Sequence, residues 1–150
     1  MVTPDMLSHC SLFEGLSEEH LKTIADIGEE TTCQQGAVLF WDGDLAENLY
    51  VLLEGEINIF VQLSSRPERV TVSVINQPYQ PIGWSGILAP HVYSASALCE
   101  TDCRLVALDG EKLMQVLEDD PALGFVVMRR IAEVLSSRAR NTRHALLKTL

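Results

Sequence analysis

Leu49-Tyr50-Val51-Leu52-Leu53-Glu54-Gly55-Glu56-Ile57-Asn58-Ile59-Phe60-Val61-Gln62-Leu63 is the stretch that decides the fold. Leu49, Val51 and Leu53 recur at every second position, Glu54-Gly55-Glu56 interrupts them, and Ile57, Ile59, Val61 and Leu63 resume the period. A period of two is that of a strand with one buried face, and a glycine between acidic residues is turn chemistry. The rhythm extends in both directions. Val70, Val72 and Val74 follow the turn signal Ser64-Ser65-Arg66-Pro67, and Asp42-Gly43-Asp44 closes an earlier run that starts at Ala37. Two more strands are expected near 93–99 and 103–108. Short strands broken by turns every eight to twelve residues predict a sandwich or barrel over residues 36–108.

Helical signals flank this core. Residues 1–30 read as helix: Ser17 precedes Glu18 and Glu19, acidic residues that the dipole favours in a first turn, and Leu21, Ile24 and Ala25 form an apolar stripe. Gly28 reads as the C-terminal stop. Asp109 is placed to cap a short helix over 109–119 whose Leu113, Met114 and Leu117 make one face. Asp120-Pro121 then opens a last helix over 120–150, about 28 residues and about 40 Å long. Phe125, Met128, Ala132, Leu135, Ala139, Thr142 and Leu146 fall on it at unbroken spacings of three and four, a heptad seam that predicts pairing with another helix. Val127, Ile131 and Val134 add a second apolar edge, suited to packing on the chain's own body.

Charge and composition narrow the function. The chain of 150 residues has a formal charge of −10 and is 47% hydrophobic, so it is a folded protein rather than a disordered one. Residues 1–128 hold 5 basic and 20 acidic side chains, while residues 129–150 hold six basic side chains against Glu133. An acidic body does not coat nucleic acid. No apolar run is long enough to span a bilayer, and the N-terminus lacks a secretory leader, so a soluble cytoplasmic protein is expected. Cys10, Cys33, Cys99 and Cys103 show no CxxC spacing and read as reduced thiols. Cys99 and Cys103 flank the expected turn Glu100-Thr101-Asp102, either facing each other across a hairpin or packing as small apolar residues. His9, His20, His91 and His144 are too scattered for a cupin-type metal site, and no nucleophilic triad is visible. A binding protein without metal or cofactor is expected, not an enzyme.

The order of helix, about eight strands, short helix and long helix resembles the cyclic nucleotide-binding domain of the catabolite-activator and fumarate–nitrate-type regulators, also used in kinases and channels. Leu12-Phe13-Glu14-Gly15-Leu16-Ser17 with Leu21 is similar to that family's opening helix. Gly36-Ala37-Val38-Leu39-Phe40 followed by Gly43-Asp44, and Leu49 to Gly55, are similar to its glycine-bounded strands. The resemblance implies a mainly β fold with flanking helices, a jelly-roll β-roll (double-stranded β-helix) carrying a long C-terminal dimerisation helix. It also implies a homodimer, signalling to an unidentified partner protein, and a small ligand such as a cyclic nucleotide.

Members of that family bind the cyclic phosphate in a cassette after the sixth strand, where a glycine-bounded turn leads into a short helix. The matching stretch here is Ile82-Gly83-Trp84-Ser85-Gly86-Ile87-Leu88-Ala89, continuing to Tyr93-Ser94-Ala95. By resemblance, Gly83, Trp84, Ser85, Gly86, Ile87, Tyr93, Ser94 and Ala95 are the ligand-binding residues, with Thr142 reaching the ligand from the last helix. Two charges depart from the pattern. Trp84 stands where the family usually has the Glu that holds the ribose, and Tyr93 where it usually has the Arg that pairs the phosphate. Loss of one such charge-assisted contact lowers affinity roughly tenfold to a hundredfold. Trp84 and Tyr93 either fill the vacated pocket, leaving a ligand-free interaction module, or line a pocket for a flat, less anionic molecule. His91 is a candidate polar or pH-sensitive contact, against the plain reading of a loop histidine.

The seam sets Arg138 at a g position, facing Arg143 of a parallel partner helix, an unfavourable pairing. The expectation is that these arginines fold back onto carboxylates of the acidic body or hold an anion. Regulators of the resembling family carry a helix-turn-helix domain after the long helix. With Leu150 last in the sequence, DNA binding by this chain alone is not expected.

Overall fold

The computed structural model describes residues 1–148. Eight strands form in chain order: β1 (Gly28–Cys33), β2 (Val38–Phe40), β3 (Asn48–Glu54), β4 (Ile57–Gln62), β5 (Arg69–Ile75), β6 (Pro81–Ile82), β7 (Ser96–Cys99) and β8 (Cys103–Asp109). Helices α1 (Pro4–Ser8) and α2 (Glu18–Asp26) precede them, and α3 (Gly110–Asp119) and α4 (Pro121–Lys148) follow. The strands pair antiparallel into two four-stranded sheets, ordered β1-β8-β3-β6 and β2-β7-β4-β5. This is the mainly β roll of jelly-roll type, with flanking helices and a long last helix, that the periodicity and the resemblance imply.

Alternation along β3 and β8 builds two cores. Leu49 and Val51 of β3, with Val106 and Leu108 of β8, join the helical residues Phe13, Ile24, Leu113, Val127 and Ile131 in one buried cluster. Their neighbours Leu52, Cys103 and Leu105 point the other way, into a second cluster between the sheets with Ile57, Ile82 and Ala97. The first sheet is therefore buried on both faces, which is why Leu49 to Leu53 is apolar at every position. Each fully buried Leu, Val or Ile contributes about 1.5–3 kcal/mol relative to exposure.

The second sheet corrects the simple alternation expected of Ile57 to Leu63. Ile59 pairs with Ser73 and Phe60 with Thr71, so Val72 is the extra residue of a bulge in β5, while β4 runs unbroken along β7. Phe60 is buried under the Trp41 ring and the Arg69 guanidinium, while Leu63 is exposed. Val70, Val72 and Val74 lie on β5, the edge strand, and are more than two-fifths exposed. Their alternation marks strand structure but no core face.

Residues 28–30 are not helix as expected; they open β1, which pairs in register with β8 from Gly28↔Leu108 to Cys33↔Cys103. Gly28 does not act as a left-handed helix stop. A Cβ there would meet the Leu108 and Val106 side chains at 3.0 and 3.2 Å, so glycine serves close packing at the strand start. Residues 93–95 likewise precede β7 rather than belonging to it. Cys99 and Cys103 do not face each other as hairpin partners, because β7 and β8 belong to different sheets. Cys99 pairs with Ile57 and Cys103 with Cys33. All four cysteines are free thiols, and burial first, then the hydrogen-bonded Cys33 thiol, pushes the Cys99 thiol well above its usual range.

The expected helix starts are realised. Ser17 accepts from the His20 N–H at 3.1 Å, Asp109 from Lys112 at 2.9 Å, and Asp120 from Leu123 at 3.3 Å. His20 Nε2 also lies 2.9 Å from the Asp120 carboxylate, tying α2 to the start of α4. On α4, Leu123, Val127 and Ile131 are buried on the body, whereas Phe125, Ala132, Leu135, Ala139 and Thr142 of the seam are exposed, with Met128 half-buried. The two apolar edges of this helix thus face different ways. The end of the expected 120–150 helix at Thr149 and Leu150 lies outside the described residues.

Candidate ligand pocket between the cassette and the last helix

The cassette is positioned by a packing contact that only glycine permits. After β6, Gly83 adopts a left-handed φ of 83°, and Trp84–Gly86 make one turn of 3₁₀ helix. A Cβ on Gly86 would collide with the Asn48 carbonyl, and one on Gly110 with the Gly86 carbonyl. Gly110 N–H also donates to Glu47 O at 2.8 Å. The cassette turn is therefore clamped between the start of β3 and the start of α3.

Outside this clamp lies a cavity of about 620 Å³. Of the residues expected to bind ligand, Gly83, Trp84, Ser85, Tyr93, Ser94 and Ala95 line it. Gly86 and Ile87 do not; they face a separate groove against α3, which His91 also lines with Glu47, Asp109 and Glu111. His91 there holds Ser85 O at 3.1 Å through Nδ1. Thr142 lies on the exposed end of α4, outside the cavity lining. It is four residues beyond Arg138, about 6 Å further along the helix axis. Leu135 and Arg138 line the cavity from α4.

The two altered cassette positions differ in kind. Tyr93 is 5% exposed and stacks on Phe40 with ring centroids 3.8 Å apart and 13° between planes. Its hydroxyl donates to Asn48 O at 2.8 Å. Burial above all, then the neighbouring Tyr50, pushes its phenol well above the ordinary range, so it is neutral at physiological pH. Tyr93 thus occupies the barrel interior as a core residue. Trp84 remains half-buried at the rim, and its indole N–H is buried without a hydrogen-bond partner.

Arg138 does fold back onto the body, but not onto a carboxylate as expected. Its guanidinium lies 5.5 Å from the centroid of the Trp84 ring and donates to Pro81 O at 3.3 Å. Partial burial lowers its pKa from the ordinary value, yet an arginine stays charged at any relevant pH. Of the other arginines of α4, Arg130 also reaches the body, donating to Leu12 O at 3.2 Å, and Arg129 pairs within the helix with Glu133 at 3.8 Å beside Phe125. Sequence reasoning missed Asp42, Leu88 and Leu135 as lining residues. Only the awkward g position of Arg138 pointed toward the body. Among the described residues, no group of His, Cys, Asp and Glu is arranged to hold a metal ion, and no helix is long and apolar enough to cross a membrane.

The model of the cyclic nucleotide-binding domain matches residues 30–120, from β1 through the cassette to α3. The chain belongs to the cyclic nucleotide-binding domain family. It is 28% identical over 129 residues to the cyclic AMP receptor protein of Thermus thermophilus, an alignment that covers 86% of this chain and 57% of that one. This chain therefore matches little more than half the length of that relative. A Geobacter metallireducens protein named for cyclic nucleotide binding superposes with a TM-score of 0.80 at 33% identity, covering 93% of this chain and 99% of that one. A cyclic nucleotide-binding domain from Methylobacillus flagellatus gives a TM-score of 0.82 at 21% identity, with 97% and 81% covered, and attests the fold alone. Family membership makes this a regulatory-type domain.

Proposed function

We propose that this chain is a sensor or regulatory domain that binds a small ligand in the cassette cavity and passes its occupancy through α4 to a partner protein. The supporting observation is that the cavity spans the boundary between the roll and α4. Trp84, Ser85 and Ser94 form its wall on the roll, and Leu135 and Arg138 form its wall on α4. A ligand seated there touches both parts and favours whichever packing of the helix accommodates it, which is a population shift.

Leu135 also belongs to the heptad seam, whose residues Phe125, Ala132, Leu135 and Ala139 are uncovered on the single chain. A homodimer formed through that seam places the partner helix beside the cavity, so occupancy and helix pairing bear on one side chain. We place the protein in the cytoplasm and assign it a regulatory rather than a catalytic role. The ligand is a cyclic nucleotide or another small molecule of similar size. The second reading is a ligand-free dimeric interaction module, favoured by Tyr93, whose ring fills the space of the family's phosphate-binding Arg.

A thermal-shift panel of cyclic mono- and dinucleotides, nucleotides and aromatic acids separates the two. Stabilisation by one compound at excess concentration, about 2.7 kcal/mol at one hundred times its Kd, supports the sensor. A shift with cyclic AMP that is lost in Ser94→Ala identifies the cyclic nucleotide as ligand. No shift with any compound supports the interaction module.

A further inference from the structure

We infer that Arg138 is the anion anchor of the cassette cavity and that the ligand is a small monoanion with a flat apolar body. This rests on the sensor reading above and names the ligand chemistry and the residue that reads it.

The charge that the cassette lost at position 93 is restored from another element. Among the described residues Arg138 is the one basic side chain in the lining, and it comes from α4 rather than from the roll. Its guanidinium offers five N–H donors in a planar fork suited to a carboxylate or phosphate. Pro81 O and the Trp84 ring face engage it, and neither is an anion.

The rest of the lining sets the body of the ligand. Phe40, Ile59, Leu88, Pro90 and Val92 contribute apolar surface, and the Trp84 face suits a planar ring. Among the described residues Asp42 is the one carboxylate in the lining, and it is exposed. Its like charge disfavours a ligand carrying several negative charges, so a single charge beside Arg138 is selected. Tyr93, the other ionisable group of the lining, is a neutral phenol already bonded to Asn48 O. The ion pair formed with Arg138 bridges directly from ligand to α4, whereas a cassette arginine would have held the ligand within the roll.

The experiment uses the full chain and reads binding by isothermal titration calorimetry. The probes are indole-3-carboxylate and cyclic AMP as monoanions, indole-3-carboxamide and adenosine as their uncharged counterparts, and ATP as a polyanion. At least one monoanion is expected to bind, and its affinity to fall roughly tenfold to a hundredfold in Arg138→Gln. Arg138→Lys, which keeps the charge without the fork, is expected to lie between the two, and the uncharged counterpart to bind weakly and equally to all three proteins. Indole-3-carboxylate binding alone assigns a carboxylate ligand, cyclic AMP binding alone a phosphodiester, and either supports the anchor. Monoanion binding that is unchanged in Arg138→Gln overturns the anchor while leaving the sensor standing. ATP binding as tight as the monoanion overturns the single-charge selection. No binding by any probe overturns the sensor reading and the anchor with it. Because Arg138 is half-buried on a surface helix, unchanged melting of Arg138→Gln confirms that only the site was altered.

Discussion

Trp84 and Tyr93 stand at the two cassette positions where the resembling family usually carries charge, and the fold uses them in opposite ways. Tyr93 has become core: it is stacked on Phe40, hydrogen-bonded to the backbone of β3 and sealed from solvent. Trp84 has become wall, half-exposed, with an unpartnered N–H and an arginine from another element over its ring. Replacement of a binding residue by an aromatic one therefore has no single meaning. What decides it is whether the new side chain finds its partners inside the protein. Tyr93 does, in ring and hydroxyl alike, whereas Trp84 finds a cation for its ring and no acceptor for its N–H.

The contrast is broken most directly by truncating both residues. Tyr93→Ala is expected to lose about 3–5 kcal/mol, as other buried aromatic truncations do. Urea unfolding measures it, and a loss below about 1 kcal/mol would mean that Tyr93 is not core. Tyr93→Phe keeps the ring and removes one donor to Asn48 O, with an expected loss of about 1–2 kcal/mol at pH 7. Leu135→Asp is expected to abolish self-association through the seam while leaving the monomer folded, as read by sedimentation. Trp84→Ala is expected to change stability least, by about 1 kcal/mol or less, because the ring is at the rim.

Alkaline unfolding sharpens the same difference. The folded state holds the Tyr93 phenol protonated above its usual pKa of 10.0. The stability this contributes is complete below pH 10 and is lost as pH rises above it, since the unfolded chain gives up the proton first. Cys10, pushed up to about 11 by burial, starts a similar decline above pH 9. Tyr93→Phe is therefore expected to flatten only the part of the pH–stability curve above 10. A curve of unchanged slope there would show that Tyr93 is solvated.

The outline of the fold is legible in the sequence because it is written in local periods. Leu49-Val51-Leu53 marks a strand, and the spacing from Phe125 to Ala139 marks a helix with an uncovered face. β1 is not written that way: Gly28-Glu29-Glu30-Thr31-Thr32-Cys33 is polar and partly exposed along an edge, so no alternation betrays it. The bulge at Val72 is equally silent, since one inserted residue alters the register without altering composition. The cassette stretch is assigned by resemblance alone, and six of its expected ligand-binding residues line one cavity. The helical wall of the cavity could not be placed, because the approach of Arg138 to Trp84 joins residues 54 positions apart and no short-range pattern reports it. Thr142 was assigned by analogy, and the helix carries it past the cavity.

The anchoring of α4 at one end gives the helix the mechanics of a cantilever. Leu123, Val127 and Ile131 fix its first turns to the body, and about 25 Å of helix extends beyond Ile131 to Lys148. Arg138 bears on this beam about 10 Å from the fulcrum, so a displacement there is magnified about two and a half times at the tip. A shift of 1 Å at the guanidinium becomes about 2.5 Å at the far end, half the rise of a helical turn. A movement too small to disturb the roll is then large enough to change which side chains meet near Lys148.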